Sequence, residues 1–298
     1  MGVEGLAREG KAEQLAGLTA ECKSEAADSG ARRRNAHDQP YSNGQPSARC
    51  LHDSASPVDC FGMCGRYRLK DPKKAFAWLE VVPSHDFLPR FNIAPTQQIA
   101  VVTAQGHLQP MGWGIVPPWA KATSKTLINA RCESVREKPS FKSSFTQRRC
   151  LVPADGFYEW SRVGKRPHFF TLEQAAPFAI GAFWEPAGGL SRCCLLTTSA
   201  NSLLEPIHDR MPVIVRREDW LEWLAPQPLT DQSFHRVTAP YIPDEMAAIE
   251  VSSIINSAKI DDARCCEPAG AEGAEVPRKL TVTRKVATAQ DCQQTFAF

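Results

Sequence analysis

Cys64 has the most distinctive chemistry in this sequence, because it directly follows a methionine inside the chain. In "MCGRY", residues 63–67, Arg66 lies two positions further on, where a cation would favour the thiolate form. If Met63 were removed, Cys64 would carry a free α-amine with a pKa of about 7.7–8.0, partly unprotonated near neutral pH. An amine next to a thiol condenses with an aldehyde and closes a thiazolidine ring, which an internal cysteine cannot do. The alternative is a buried thiol without chemistry.

Two titratable side chains are candidates for proton transfer. Glu159 lies among the aromatic residues of "GFYEW", which predicts a partly desolvated carboxylate with a raised pKa. The alternative for it is a strand-end glutamate that faces solvent. His208, in "IHDRMP", follows a predicted strand and precedes another, a position where loops present functional groups. A lone histidine is nevertheless more often structural than catalytic.

A basic stretch with interleaved aromatic residues predicts contact with a nucleic acid. Phe141 and Phe145 alternate with cations there, which suits a surface that binds phosphates and stacks on bases. Just before it, Asn129 and Arg131 would project from one face of a strand and could hold a phosphate or a sugar oxygen. The alternative for the whole stretch is a solvated charged face. Its cations are Arg136, Lys138, Lys142, Arg148 and Arg149.

The composition of the chain narrows its class. Its 298 residues are 43% hydrophobic with a formal net charge of +2, so they can bury a sizeable core and do not demand a nucleic-acid partner. No apolar run reaches the roughly 18 residues of a membrane span. Acidic residues near the start argue against an export signal. We therefore expect a cytoplasmic protein with reduced thiols.

Cysteines could also hold a metal, but their spacing argues against it. Four potential zinc ligands near Met63 lack the common spacings, and two adjacent cysteine pairs lack the spacers of a zinc knuckle. We interpret the pairs as small core residues and expect no metal and no cofactor. The potential ligands are Cys50, His52, Cys60 and Cys64, and the pairs are Cys193–Cys194 and Cys265–Cys266.

The composition changes abruptly at Met63. Residues 1–62 are polar and poor in aromatic residues, so we interpret them as a disordered leader or as upstream sequence wrongly joined to a protein that begins at Met63. Short apolar runs punctuated by Pro and Gly then predict strands. Helices are predicted for "DPKKAFAWLEV" and "RREDWLEWLA". We expect a single β-rich α+β domain at 63–270 and a flexible tail at 271–298.

Several blocks of sequence, taken in order, resemble the signature of the SRAP family, the SOS-response-associated peptidases or abasic-site processing proteins. The likeness covers about 64–270. It implies a β-rich α+β fold with a positively charged DNA groove and single-stranded DNA containing abasic sites as the partner. It also implies a thiazolidine cross-link between an N-terminal cysteine and the aldehyde of the abasic sugar, which shields the lesion. The blocks are "MCGRY", "FNIAPTQ", "MGWGIVPPWA", "NARCES", "RRCLVPADGFYEW", "TTSAN" and "IHDRMPVI".

The resemblance implies catalytic roles for five residues. Cys64 would supply both nucleophiles, and Glu159 would move protons during ring opening and Schiff-base formation. His208 would assist proton transfer at the sugar and could promote reversal or β-elimination, which is a lyase activity. Asn129 would orient the cysteine or the sugar, and Arg131 would hold a flanking phosphate.

A DNA-binding set is predicted as well. Arg66 would join Arg131 in holding phosphates, and Pro95 and Trp113 would form a wedge between the bases beside the lesion. The full set is Arg66, Pro95, Trp113, Arg131, Arg136, Lys142, Arg148 and Arg149.

This sequence departs from the family because Cys64 is not at position 2. An acylated amine cannot form an imine, so we expect the chain as written to be inactive in thiazolidine chemistry. Either translation begins at Met63, or the leader is cut before Cys64, for which autopeptidase activity is one route. We expect a monomer that associates with the nucleoid when it is on DNA. The alternatives are a cysteine peptidase with Cys64 as nucleophile and His208 as base, and a non-covalent single-stranded DNA-binding module.

Overall fold

The computed structural model describes residues 64–83, 85–116 and 126–270 of the chain. Met63, the predicted leader at 1–62 and the predicted tail at 271–298 lie outside the described residues. The described part contains two β-sheets and a few short helices. This architecture confirms the predicted β-rich α+β class.

The strands and helices are short, and their bounds follow in chain order. The strands are β1 (Arg66–Leu69), β2 (Arg90–Ile93), β3 (Gln98–Val102), β4 (Leu108–Trp113), β5 (Asn129–Arg131), β6 (Arg149–Ala154), β7 (Gly156–Trp160), β8 (Pro167–Leu172), β9 (Phe178–Glu185), β10 (Arg192–Ser199), β11 (Arg210–Pro212), β12 (Ile214–Val215) and β13 (Met246–Glu250). The α-helices are α1 (Pro72–Leu79), α2 (Cys132–Val135), α3 (Lys142–Gln147), α4 (Trp220–Leu224) and α5 (Asp231–Thr238).

Five strands close into a barrel, and three others extend it. The ring runs β10-β4-β3-β6-β9 and returns to β10, which pairs with β9. β5 and β11 also pair with β10, and β12 pairs with β9. A closed ring leaves no exposed edge among its five strands, which protects them from pairing with other chains.

The second sheet carries β1 in its interior, in the order β13-β8-β7-β1-β2. β1 is antiparallel to β7, with Arg66 opposite Tyr158. The chain just before β1 therefore runs beside the end of β7, where Glu159 lies. Gly156 at the start of β7 permits close packing, because an added Cβ would meet the ring of Phe169 at 2.3 Å.

Most apolar runs of the sequence become buried strands. β9, "FAIGAFWE", is buried along its first six residues, and β6 is buried throughout, so both are covered on two faces. Cys193, Cys194 and Cys265 are fully buried, as predicted for small core residues, whereas Cys266 is half-buried.

The two predicted helices are present. α1 begins after Asp71, whose side chain accepts a hydrogen bond from the backbone N of Lys74 at 3.0 Å, and Pro72 occupies its first turn. A 3₁₀ turn at Arg217–Asp219 continues into α4. Helices α2, α3 and α5 were not predicted. Within the described ranges, no helix is both long and apolar enough to cross a membrane.

Candidate active site

Cys64 and Glu159 form the centre of the site. The backbone nitrogen of Cys64 donates a hydrogen bond to Oε1 of Glu159 at 2.6 Å, across 95 positions of sequence. The thiol of Cys64 also interacts with the same carboxylate, and this interaction raises the pKa of the thiol. Both residues are buried, with 4% of Cys64 and 3% of Glu159 exposed. One carboxylate thus touches both potential nucleophiles of a single cysteine.

Burial sets the protonation of this pair. It raises the pKa of Glu159 above its ordinary value, while the charge of His208 and the hydrogen bonds from Cys64 lower that pKa in part. The solvent-facing alternative for Glu159 is therefore wrong. Burial also raises the pKa of the Cys64 thiol well above its ordinary value, and the negative charge of Glu159 raises it further.

Arg66 does not produce the thiolate that the sequence suggested. Its Nη1 donates hydrogen bonds to Oδ1 of Asn92 at 3.2 Å and to the carbonyl of Ile255 at 2.8 Å, and its guanidinium lies 5.9 Å from the ring of Trp160. The cation that lowers the pKa of Cys64 is Arg210, and burial outweighs it. The expected role of Arg66 at the sulfur is thus wrong, because its side chain is directed to β2 and to the 3₁₀ turn at 253–256.

Asn129 reaches the site from the barrel. Its Nδ2 donates a hydrogen bond to the carbonyl of Cys64 at 3.2 Å. It opens β5, which pairs in parallel with β10 and follows the half-buried, buried, exposed pattern from Asn129 to Arg131. The alternation predicted for this pair is present, and Arg131 is exposed beside the centre of the site. β5 therefore runs from a contact with Cys64, at Asn129, to an exposed residue, Arg131.

His208 lies in the loop between β10 and β11. Its Nδ1 accepts a hydrogen bond from the backbone N of Arg210 at 3.1 Å and lies 3.3 Å from Oδ1 of Asp209. The ring is half-buried, and its charge lowers the pKa of Glu159, so the two groups interact electrostatically. The structure therefore brings together Cys64, Asn129, Glu159 and His208.

Arg210 is part of the same cluster, although sequence reasoning gave it no role. Its Nη1 and Nη2 donate to the two carboxylate oxygens of Glu133 at 2.7 and 2.9 Å, and Nη2 also donates to the carbonyl of Thr197 at 2.6 Å. Only 8% of Arg210 is exposed. Its position two residues after His208, and that of Glu133 two residues after Arg131, were the signals available in the sequence.

Much of the predicted basic and aromatic surface belongs to the core instead. Phe141 and Phe145 are buried against Phe183, so they cannot stack on bases. Arg149 is only 2% exposed. Its five hydrogen bonds all go to backbone carbonyls, and burial lowers its pKa to about 10. No donor remains for a phosphate, so this placement opposes the predicted DNA contact of Arg149. The accepting carbonyls are those of Phe145, Thr146, Trp223, Ala225 and Gln227.

The position of Trp113 also opposes its predicted role as a wedge between bases. It is fully buried in β4, packs edge-on against Tyr67 with ring centroids 5.5 Å apart, and donates from Nε1 to the carbonyl of Ile128 at 3.1 Å. A wedge must reach the DNA, which this ring cannot do. Pro95 is half-buried in the turn between β2 and β3. The block "MGWGIVPPWA" continues into residues that lie outside the described ranges.

The remaining predicted cations lie at or near the surface. Arg136 donates from Nη1 to Asp231 at 2.6 Å and lies 5.0 Å from the ring of Phe234. Lys142 is exposed at the start of α3. Arg148 is half-buried and binds the carbonyl of Trp184 at 3.1 Å. Their DNA-binding roles stay predictions.

The arrangement can move protons to and from one cysteine. The residues that surround it are an amide, a carboxylate, an imidazole and a guanidinium, of which only the carboxylate touches both nucleophilic atoms. Of the zinc ligands considered, only Cys64 lies in the described part of the chain, and in that part no group of three or more His, Cys, Asp or Glu side chains could hold a metal ion.

Comparison with known families gives one clear match. Residues 63–258 match the model of the family described as SOS response associated peptidase (SRAP). A Bacillus subtilis protein named abasic site processing protein YoqW is 38% identical over 214 residues, which is 66% of this chain and 96% of that protein. Abasic site processing protein YedK of Escherichia coli is 28% identical over 178 residues, or 54% of this chain and 79% of that protein.

Solved structures share the fold. A crystal structure of a Bacteroides thetaiotaomicron protein superposes with a TM-score of 0.60 at 21% identity, covering 69% of this chain and all of that one. A Bordetella bronchiseptica protein superposes with a TM-score of 0.55 at 25% identity, covering 63% of this chain and all of that one. The described domain therefore has an architecture that recurs at low sequence identity.

Proposed function

The chain belongs to the SRAP family, and from that premise we propose that it processes abasic sites in DNA. Relatives that it matches over nearly their whole length carry that activity in their names. The finer proposal is that the protein, once residues 1–63 are removed, binds single-stranded DNA and forms a thiazolidine between Cys64 and the ring-opened abasic sugar. This covalent link shields the lesion in the DNA damage response.

The observation that carries this proposal is the double contact of Glu159. Thiazolidine formation needs one nitrogen and one sulfur on neighbouring atoms of a single residue, and proton transfer at both. Glu159 accepts a hydrogen bond from the nitrogen of Cys64 at 2.6 Å, and it also interacts electrostatically with the thiol.

In the first step, the free amine of Cys64 attacks the aldehyde carbon of the sugar. The carbinolamine that forms loses its hydroxyl as water and becomes an imine. Glu159 accepts the proton that leaves the nitrogen and returns it to the departing hydroxyl, and its raised pKa brings it closer to the range that suits both transfers. His208 assists at the sugar oxygen, where the ring must open.

In the second step, the thiol of Cys64 adds to the imine carbon and closes the ring. The S–H proton passes through Glu159 to the nitrogen, so the whole reaction releases one water and needs no oxidant or reductant. The raised pKa of the thiol is compatible with this order, because the sulfur stays protonated until an electrophilic imine is adjacent. β-Elimination from the imine is the competing path and would constitute a lyase activity.

Neighbouring groups hold the reactants. Asn129 fixes the carbonyl of Cys64 at 3.2 Å, which orients the amine toward the sugar. Exposed Arg131 lies two residues further along β5, where it can bind a phosphate beside the lesion. Lys142 and Arg136 are the other surface cations of the predicted DNA face.

The covalent reaction is tested by comparing two forms of the protein on an oligonucleotide with one abasic site. The form expressed from Met63, which exposes Cys64 when the methionine is removed, should give a band that survives denaturation. The form that retains residues 1–63 should give none, because an acylated nitrogen cannot become an imine. Intact mass must show an adduct equal to protein plus DNA minus one water.

Two variants control this experiment. Cys64→Ser should lose the adduct entirely, whereas Cys266→Ser, a change at a half-buried cysteine on another element, should retain it. An unmodified strand after incubation with the Cys64-terminal form defeats the proposed mechanism. Incubating the long form and following its mass shows whether the protein cleaves itself before Cys64.

The peptidase alternative fits the site less well. A cysteine peptidase keeps its thiol paired with an imidazole and easily ionised. Here the thiol hydrogen-bonds Glu159 and its pKa is raised, while Nδ1 of His208 accepts from the backbone of Arg210. A non-covalent single-stranded DNA binder is the other alternative, and its complex would dissolve in high salt, whereas the adduct would survive.

A further inference from the structure

The turn between β7 and β8, residues 161–166, is a basic hairpin tip for which none of the roles above accounts. Its sequence is "SRVGKR", and every residue from Arg162 to Arg166 is exposed. Val163 is 86% exposed, a high value for a large apolar side chain. An apolar residue flanked by cations at the end of a hairpin is an arrangement that suits contact with DNA.

Hydrogen bonds within the hairpin tip fix its shape. Oγ of Ser161 donates to the carbonyl of Val163 at 2.7 Å and accepts from the backbone N of Arg166 at 2.9 Å. The backbone N of Ser161 donates to the carbonyl of Arg166 at 2.9 Å. Gly164 takes the left-handed conformation, with φ of 76°, that reverses the chain. Val163 is therefore presented by an ordered turn, which lowers the entropy lost on binding.

The hairpin tip lies next to the candidate active site. It continues the strand that carries Glu159, and the backbone N of Arg162 donates to the carbonyl of Ile207, the residue before His208, at 3.2 Å. Val163 is four residues beyond Glu159, so at about 3.3 Å per residue it lies at most roughly 13 Å away. With a rise of about 3.4 Å per nucleotide in a stacked strand, that distance spans only a few nucleotides.

The cations of the hairpin tip are exposed at the surface. Arg162 lies 3.9 Å from Asp209, and Arg166 pairs with Glu250 at 2.9 Å. Both are exposed pairs, and such pairs contribute little free energy. Replacing the carboxylate partner by a phosphate therefore costs little free energy. Lys165 adds a third exposed cation on the other side of Val163.

We propose that the hairpin tip is a second contact for the DNA strand, in which Val163 packs against a base or sugar near the lesion and Lys165 and Arg162 bind its phosphates. This inference rests on the proposed function for its ligand, single-stranded DNA. It adds a binding surface that lies outside the cysteine cluster.

The test measures non-covalent affinity of the full chain for a single strand without abasic sites, which removes the covalent step from the readout. Val163→Asp should weaken binding roughly tenfold, because it replaces an apolar contact by an anion near phosphates. Val82→Asp is the matched control, since Val82 is also 86% exposed but follows α1, outside the segments that build the site. It should bind as the unaltered protein does.

A second pair of variants tests the phosphate contacts. Lys165→Gln should lower the slope of log affinity against log salt concentration by about 0.7, the value for one phosphate contact on a single strand. Lys73→Gln, at an exposed position of α1, should leave that slope unchanged. Equal affinities for the two valine variants, or an unchanged slope for Lys165→Gln, would overturn the inference.

The outcome is separable from that of the proposed function. If the Cys64-terminal form cross-links abasic DNA but Val163→Asp binds normally, the hairpin tip is excluded while the chemistry stands. If no adduct forms but Val163→Asp still weakens binding, the hairpin tip stands and the covalent mechanism fails.

Discussion

Two regions of the molecule contain the residue types from which a function was predicted, and they differ sharply in structure. Around Cys64, polar groups of β5 and of the segment at 208–210 converge on one buried cysteine and its carboxylate. In the basic stretch at 136–149, the aromatic rings and Arg149 turn inward and Arg136 pairs with Asp231. In the first region, buried polar groups therefore form a cluster around one cysteine. Much of the second region instead holds the barrel and its helices together.

The difference shows that a pattern of charges in the sequence does not by itself identify a DNA-binding surface. A run of cations and rings looks the same in sequence whether it faces DNA or packs under a helix. A buried polar group is informative once its partners are known, because leaving it unpaired costs free energy. Arg149 meets that cost with five carbonyls, and Glu159 meets it with the two nucleophilic atoms of Cys64. The two regions should accordingly respond to mutation in opposite ways.

The largest expected effect is on the chemistry at Glu159. Glu159→Gln should slow adduct formation by about 100-fold or more, because it removes the general acid and base. The stability of the Glu159→Gln variant should increase, although its activity falls. A carboxyl whose pKa is raised on folding loses stability as pH rises through that raised pKa, so the glutamine variant should gain on the unaltered protein above about pH 4.

Adduct kinetics and denaturant unfolding at several pH values measure both halves of this prediction. Glu173→Gln, at an exposed position after β8, is the control and should change neither quantity. A variant that keeps the full rate would remove Glu159 from the mechanism. A variant that is equally unstable relative to the unaltered protein at every pH would contradict the raised pKa.

The next effect is on stability in the basic stretch. Arg149→Gln should lower the free energy of unfolding by roughly 3 kcal/mol, because several buried carbonyls lose their donor. The affinity of the folded fraction for DNA should not change. Lys142→Gln, at an exposed position of the same stretch, should change stability by less than about 0.5 kcal/mol. Weaker DNA binding by Arg149→Gln without a loss of stability would restore the original interpretation of Arg149.

The smallest expected effect is at the pair formed by Glu133 and Arg210, at the border of the cysteine cluster. Partial burial alone would raise the pKa of Glu133, but the hydrogen bonds from Arg210 lower it overall. Glu133→Gln should therefore cost about 1 kcal/mol at neutral pH, a value reduced for the exposure of the pair. That cost should fade as pH falls below the ordinary pKa of a glutamate, through the lowered one.

Thermal unfolding between pH 3 and pH 7 measures the Glu133 prediction. Asp231→Asn is the control, because Asp231 belongs to the exposed ion pair with Arg136. If the two variants behave alike, the ion pair between Glu133 and Arg210 is no stronger than an ordinary surface pair.

Much of the fold was predictable from local patterns. Apolar runs bounded by Pro and Gly became β3, β6, β9 and β10, and Asp71 with Pro72 marked the start of α1. Helix α3 was not predicted because "KSSFTQ" has no helical repeat of apolar residues. Phe145 is its one buried apolar side chain. Such a helix depends on packing against the barrel more than on its own propensity.

The sequence by itself determined the β-rich class, the singular position of Cys64 after Met63, and the aromatic setting that desolvates Glu159. These follow from residue order and from periodicity over a few positions. Only the tertiary structure decided that Glu159 holds the nitrogen of Cys64, that Arg210 joins the cluster, and that Arg149 and Trp113 are buried. The reason is that these contacts join segments far apart in the chain, where burial depends on which strands pair and not on any local pattern.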